Sequence, residues 1–338
     1  MADAKVTALS EVSVPALEDL TYWVDDPSGT PTSAKASMTR VMGLLNHINQ
    51  FRLTLTSGTP VTSSDVTGAT SIYMTPYNGN KIAVYDGTRW KLYASAELTF
   101  ALGTLTSARP YDLFVYDNAG TLTLEATAWT NDTTRATALT TQDGVYVKTG
   151  ATTRRYLGTF YTTSTTTTED SAANRYLWNV DNRVARSLVK KYGTAGAGWT
   201  YNTSTWRPIN NDTTTPGRVN TVCGIAGCDS ILLTASGFCS ITIGSSTSIF
   251  AMQGIGIDST SVNSSQAHGR YGYQGSSPTF LQVPVGGTLS EPARLGAHYY
   301  QHLECSEVNG GGSGSITYYN EDTTANRYNC GLVGVTSC

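Results

Sequence analysis

Gln142 to Trp178 reads Q-D-G-V-Y-V-K-T-G-A-T-T-R-R-Y-L-G-T-F-Y-T-T-S-T-T-T-T-E-D-S-A-A-N-R-Y-L-W, and its periodicity decides the fold class. Val145 and Val147 alternate with Tyr146 before Thr149-Gly150-Ala151, and Arg155, Leu157 and Thr159 alternate with Tyr156 and Phe160 after it. A period of two on both sides of a Gly-containing turn is the pattern of a β-hairpin. The nearly all-Thr run from Thr162 to Thr168 then reads as a solvated loop.

The same signal recurs outward from this hairpin. Lys81-Ile-Ala-Val-Tyr85 and Thr88-Arg-Trp-Lys-Leu-Tyr93 flank Asp86-Gly87, the preferred pair for a two-residue type I′ turn, in which both positions need positive φ. Tyr111-Asp-Leu-Phe-Val-Tyr116 is joined to Thr121-Leu-Thr-Leu-Glu125 through Asp117-Asn118-Ala119-Gly120. Short, evenly spaced strands with turn residues between them predict an antiparallel β-meander or sandwich over residues 57 to 191, entered through a Thr, Ser, Gly and Pro-rich linker at 57 to 70. Asn174 to Lys191 closes it; Tyr176, Leu177 and Trp178 are expected to pack while the charges of Arg175, Arg183, Arg186, Lys190 and Lys191 face water.

From Tyr192 onward lysine disappears and Gly, Ser and Cys become frequent, which places a boundary near residue 191. Strands are legible at Thr200-Trp206, Arg218-Ala226, Ser230-Thr234, Phe238-Ile243, Ile249-Ile257, Thr279-Val283, Ala293-Glu307, Gly314-Tyr319 and Gly331-Val335. They fit a jelly-roll-like β-sandwich over residues 192 to 338. Residues 1 to 56 differ from both segments. Leu20 to Val24 reads as a short strand, Asp25 to Gly29 as a turn, and Ser33 or Ser37 as an N-cap. Met38, Val41, Leu45 and Ile48 then recur at helical spacing, either as the buried stripe of an amphipathic helix or as the seam of a short trimeric coiled coil. The whole is an all-β chain with one short N-terminal helix.

Composition agrees and narrows the function classes. Only 14% of residues are charged, 39% are hydrophobic, and 20 tyrosines stand against 7 phenylalanines, which suits amphipathic aromatics on pleated sheets. A net charge of -3 without a basic run argues against nucleic-acid binding and against anionic membrane. No run of about 18 apolar residues exists to span a bilayer, and Met1-Ala-Asp-Ala-Lys-Val does not open a secretory signal. Synthesis and retention in a cytosol are therefore expected. Cys223, Cys228, Cys239, Cys305, Cys330 and Cys338 contain no C-x-x-C pair and read as small buried hydrophobes, with pairing of some after release as the alternative.

Chemistry-bearing patterns are sparse. In His298-Tyr-Tyr-Gln-His302-Leu-Glu304-Cys305 two histidines four apart suit zinc on a helix, but this is a strand, where such residues lie roughly 13 Å apart. Alternation puts Tyr299, Leu303 and Cys305 on one face and His298, Tyr300, His302 and Glu304 on another that faces solvent or a subunit interface. No G-x-S-x-G elbow, Gly-rich phosphate loop or H-E-x-x-H is present. Glu291, Glu304, Glu307, Glu321 and Asp322 could supply a glycosidase pair only at a separation the sequence does not set. The expectation is no enzyme activity, no metal and no cofactor. Sequons at Asn131, Asn202, Asn211 and Asn263 would suit a secreted cell-surface module, yet are expected by accident in so Thr- and Ser-rich a chain.

Several stretches resemble virion appendage proteins of tailed bacteriophages, the tail-fibre, head-fibre and decoration proteins. The resemblance runs from about Ile72 to Arg186 and is carried by P-Y-D-L-F-V-Y-D at 110 to 117, W-T-N-D-T-T-R-A-T-A-L at 129 to 139 and the 142 to 178 stretch. V-D-D-P-S-G-T-P-T-S-A-K resembles the particle-attachment end of phage fibres, and A-M-Q-G-I-G-I-D, V-P-V-G-G-T and R-L-G-A-H-Y-Y-Q-H-L-E resemble their C-terminal trimeric jelly rolls. The resemblance implies a homotrimeric structural protein of the virion. Residues 1 to 56 would attach it to capsid, portal or tail, and residues 192 to 338 would face outward. The alternatives are a decoration protein without receptor binding and a glycan-degrading fibre. Loops rich in Ser, Asn, Gly and Tyr, above all Ser259 to Ser277 with Tyr271 and Tyr273, are the candidate contact with host-surface glycan.

Overall fold

Asn118 and Thr121 face each other across Ala119-Gly120, whose φ values of 52° and 93° make this the two-residue turn with both positions left-handed. In this computed structural model, described over residues 20–25, 32–37, 46–192, 198–212, 217–243, 247–265, 267–275, 279–310, 314–319 and 330–338, the chain is all-β. The single helical element among those residues is a 3-10 turn at Ile209–Asn211. Asp86-Gly87, by contrast, is not a two-residue turn. Tyr85 pairs with Trp90, leaving four loop residues, because the Asp86 carboxylate accepts the N–H groups of Thr88 and Arg89, both at 2.9 Å, and so folds the loop around itself. A further tight turn closes at Asp143-Gly144, where Gln142 pairs with Val145 and φ is 50° and 84°.

The expected hairpin of the 142 to 178 stretch is present: Val145–Lys148 pairs with Ala151–Tyr161 across Thr149-Gly150. Ala151–Tyr161 then lies against Pro110–Asn118, which pairs in turn with Thr121–Ala128, in one six-stranded antiparallel sheet. Both faces of this sheet are covered. Leu113, Val115, Leu157 and Leu177 pack with Phe51, Leu53, Ile72, Met74, Ile82 and Val84 on one side. Phe114, Tyr156 and Trp178, one residue out of phase, pack on the other with Val219, Val222, Ile231, Leu233 and Tyr300 from the C-terminal half. Burial on both faces explains why Pro110 to Val115 is apolar almost without alternation. Each large side chain so buried stabilises the fold by about 1.5–3 kcal/mol relative to exposure.

The chain does not divide cleanly at residue 191. Ala185–Lys191 pairs with Gly331–Ser337, and Asn174–Arg175 pairs parallel with Arg218–Cys223, so one 14-stranded sheet incorporates elements from both sides of that position. Its long strands are Ser230–Ile243, Thr247–Ile257, Thr279–Pro292 and Gly296–Gly310. Ser230-Thr234 and Phe238-Ile243, expected as two strands, are one strand serving two cores: Ile231, Leu233 and Ala235 in the shared core, then Cys239, Ile241 and Ile243 in a second with Ile249, Val283, Val285, Ile316 and Tyr318. Thr200-Trp206 is strand only at its start, as part of Gly198–Thr200. Val66–Ala69, inside the expected linker, pairs with Thr168–Asp170.

At the N-terminus Leu20–Asp25 pairs with Thr32–Ser37, so Ser33 lies within a strand and Ser37 ends it, where an N-cap was expected. Met38, Val41 and Leu45 lie outside the described residues. Ile48 is not helical: its carbonyl accepts from Ala83 N at 2.9 Å, extending the pairing of Asn49 with Ile82. Phe51–Thr54 is buried throughout and pairs with Ser71–Pro76, so residues 51 to 55 belong to the body and not to a detachable end. The Arg155 guanidinium fixes this entry, donating to the carbonyls of Asn46, Ile48 and Ala83 at 2.7, 3.0 and 2.8 Å.

Two further expectations change. Thr162 and Thr168, expected in a solvated loop, are fully buried and bridge to each other, leaving Thr163, Thr165 and Thr166 exposed. Arg175 and Arg186, expected in water, are buried astride Asp170 at 3.1 and 3.2 Å, since their strands are covered when the two halves join.

Candidate functional site

The two halves meet at a buried ion pair. Arg135 donates through Nε to Asp112 Oδ2 at 2.6 Å and through Nη2 to Asp112 Oδ1 at 3.2 Å, a bidentate fork, and Nη2 also reaches the carbonyl of Gly224 in the C-terminal half. Thr159 Oγ1 donates to Asp112 Oδ1 at 2.7 Å, Tyr156 Oη lies 2.5 Å from Thr159 Oγ1, and the guanidinium sits 4.4 Å over the Trp129 ring. Burial opposes the charge of Arg135, but Asp112 overrides it and holds the guanidinium above its ordinary range. Gly224 has no alternative here, because a Cβ would lie 1.9 Å from Tyr156 Oη.

Beside this joint lies a cleft of about 290 Å³ lined by Asp132, Thr133, Tyr161 and Tyr176 from one half and by Asn220, Asp258 and His298 to its neighbours Ala297 and Tyr299 from the other. Its near wall is the Trp129-Thr134 loop. Asn131 Oδ1 accepts the N–H groups of Thr133 and Thr134 at 3.0 and 2.8 Å, and Asp132 O accepts from Ala297 N at 2.8 Å. The approach requires Gly296, whose φ is 103° and whose Cβ would come 2.2 Å from Asp132 O. The far wall is Asp258, at φ 51°, whose Oδ1 accepts Tyr299 N at 3.0 Å and whose Oδ2 lies 2.6 Å from His298 Nδ1; His298 Nε2 lies 3.0 Å from Leu295 O. The Asp258 side chain nevertheless remains 43% exposed.

The floor is aromatic. Tyr161 and Tyr176 have ring centroids 4.7 Å apart, and Arg218 covers Tyr299 at 4.3 Å. Burial, reinforced by Asp132, pushes the Tyr161 hydroxyl up, and burial does the same to Tyr176, so both remain neutral hydrogen-bond donors. Among the described residues, neither Lys nor Arg lines the cleft. It offers carboxylate and amide acceptors, hydroxyl donors and an apolar ring face.

The residues singled out from sequence fall elsewhere. Tyr271 and Tyr273 stand in the strand Ala267–Gly275, in register with Ala251 and Ile249, rather than in a loop. Of the His298 to Cys305 cluster only His298 and Tyr299 reach the cleft. Tyr300, His302 and Glu304 are fully buried in this chain instead of facing solvent or a partner, because the 14-stranded sheet is covered at this strand. Glu304 accepts from Trp199 Nε1 and Arg207 Nε, both at 2.8 Å, and from Asn210 N at 3.1 Å; His302 Nε2 meets Gln253 Oε1 at 3.0 Å. Among the described residues no group of three or more His, Cys, Asp or Glu could hold a metal ion, and no helix is long and apolar enough to cross a membrane. Cys223, Cys239, Cys305, Cys330 and Cys338 are buried and Cys228 is partly exposed. The sequon oxygens of Asn131, Asn202 and Asn263 accept hydrogen bonds within the chain, which gives those asparagines a structural role.

What the sequence missed was the cleft itself. Asp132, Tyr161, Tyr176, Asn220 and Asp258 form no motif, and only the Asn131-Asp132-Thr133 turn signal and the Gly296 before a strand marked the positions that bring them together. No family model matches the chain, and no curated protein matches it. Among solved structures, a chain from "Structure of infectious bursal disease virus Gx strain" aligns over 86% of this chain and 80% of that chain, at 9% identity and a TM-score of 0.17, a likeness too slight to carry an argument.

Proposed function

We propose that this chain is a structural protein of a tailed-bacteriophage virion: a homotrimeric fibre held on the particle by its N-terminal end, with its C-terminal half turned outward for adhesion to host-surface glycan. The observation that carries the reading is a coincidence of two independent features. The stretches that resemble phage appendage proteins, 110 to 117, 129 to 139 and 142 to 178, supply Asp112, Trp129, Arg135, Tyr156 and Thr159, which together make the buried joint between the halves. A resemblance that takes in this buried joint suits an appendage whose two ends act at different places. The exposed Leu232, Val333 and Val335, neighbours across paired strands, offer copies of the chain an apolar surface to bury.

The test is particle incorporation. Because Phe51, Leu53 and Leu55 are core residues, the deletion must stop at residue 45 and not at 56. The shortened chain is expected to fold and to be missing from purified virions, whereas the full chain appears in a map of the intact particle. Full-length chain absent from virions overturns the reading. Light scattering on the purified protein is expected to give three times 36.0 kDa, and a monomer overturns the trimer.

A further inference from the structure

We propose that the cleft bounded by Asp132, Tyr161, Tyr176, Asn220, Asp258 and Tyr299 binds a single neutral hexopyranose unit. The inference rests on the adhesion reading for the source of the sugar, but its chemistry stands on the cleft alone.

Size comes first. A volume of about 290 Å³ lies just below the roughly 300–1,000 Å³ usual for small-molecule sites, room for one ring. The polar groups match hydroxyls. Asp132 has no hydrogen-bond partner for its carboxylate among the described residues, and Asp258 is clamped by two groups while staying open to the cleft. Hydroxyl donors to such carboxylates make charge-assisted hydrogen bonds, stronger than neutral ones. The Tyr161 and Tyr176 pair supplies an apolar wall for the C–H face of a pyranose, with a polar tip on each ring.

The same features reject the competitors. Two carboxylates line the cleft and, among the described residues, neither Lys nor Arg does, which disfavours phosphate, sulfate and acidic sugars. A quaternary ammonium needs several open ring faces around it. Here Tyr161 and Tyr176 lie against each other and Tyr299 is capped by Arg218, so no cage is left. The site is also preorganised. The Asn131 turn, the Gly296 approach and the Asp258 clamp are formed before any ligand arrives, which lowers the ordering cost of binding.

Saturation-transfer NMR on the full chain, with the methyl glycosides of glucose, galactose, mannose and rhamnose as probes and with the methyl glycoside of N-acetylneuraminic acid and choline as controls, tests this. Wild type is expected to bind at least one neutral glycoside and neither control. Asp132→Ala, which removes an exposed side chain, is expected to weaken binding at least about tenfold, the loss of one charge-assisted hydrogen bond, with thermal unfolding unchanged. Binding that survives Asp132→Ala but is lost in Tyr271→Ala/Tyr273→Ala overturns the cleft and leaves adhesion standing. No binding of any neutral glycoside, or preference for choline or the N-acetylneuraminic acid glycoside, overturns the inference, while incorporation into virions separately decides the fibre reading.

Discussion

Arg135 and Asp112 form a bidentate, almost wholly buried ion pair at 2.6 Å, and the guanidinium spends its remaining hydrogen bonds on Tyr156 and on the carbonyl of Gly224 across the joint. Removing one partner strands the other charge. Asp112→Asn or Arg135→Met is expected to lower unfolding free energy by about 3–5 kcal/mol, and the double variant by less than the sum. Denaturant midpoints for the four proteins check this; additive losses would mean that the pair is not coupled.

Arg155 is expected to control the N-terminal entry. It is 2% exposed and holds the carbonyls of Asn46, Ile48 and Ala83. Arg155→Met removes one donor from each of these carbonyls, of which Ile48 keeps the N–H of Ala83, at roughly 1–3 kcal/mol for each acceptor left unsatisfied where water cannot reach. Hydrogen exchange should accelerate at Gln50 and Ala83, whose amides bond to Lys81 and Ile48, while the Thr279–Pro292 strand stays protected. Uniform acceleration would instead indicate global destabilisation.

His302 and Glu304 give stability opposite pH dependences. Burial pushes His302 down to about 3 from 6.5, so its contribution is complete above about pH 6.5, where the unfolded chain is also neutral, and is lost as pH falls towards 3. Burial pushes Glu304 up to about 7 from 4.5 against its three donors; the fold then keeps a proton that the unfolded chain releases. Its contribution is complete below about pH 4.5 and is lost as pH rises through 7, on the order of 3 kcal/mol. Between 4.5 and 6.5 the two oppose each other. Glu304→Gln is expected to unmask the His302 rise between about pH 4.5 and 6.5 and to remove the decline from there towards 7 in urea midpoints, and an unchanged profile would refute the assignment.

Cys228 is expected to be the first thiol to react. Cys223 and Cys228 both point at the Ile225 carbonyl, at 3.0 and 2.8 Å. The Cys223 S–H stabilises the Cys228 thiolate and draws that thiol down, while Cys223 itself is raised by the same contact and by burial. Cys228 also opens onto a second cleft, of about 270 Å³, shared with Arg183 and Tyr146. Mass spectrometry after brief iodoacetamide treatment should find label at Cys228 before the other five, and Cys223→Val should slow it. Equal labelling of all six would remove the basis for this ranking.

The sequence by itself determined the fold class and the local pairings whose signal is local. Ala151 to Tyr161 announced a strand through alternation, and Asp117-Asn118-Ala119-Gly120 marked a turn, though not that Ala119 and Gly120 alone would close it. Asp86-Gly87 misled because a side-chain carboxylate capturing two N–H groups competes with the same turn chemistry. Only the tertiary structure decided which charges would be buried. Arg155, Arg175 and Arg186 look like surface residues in sequence, and each is buried, with Arg135 nearly so, because a partner carboxylate or carbonyl meets it, from near in the chain for Arg175 and from far away for Arg135 and Arg155. The cleft has the same origin. Asp132 and Asp258 are separated by more than a hundred residues, and they share one cleft only because Gly296 lets the Asn131 turn approach the strand that fixes Asp258. Long-range placement of this kind depends on which faces are buried together, and periodicity along one strand carries no information about that.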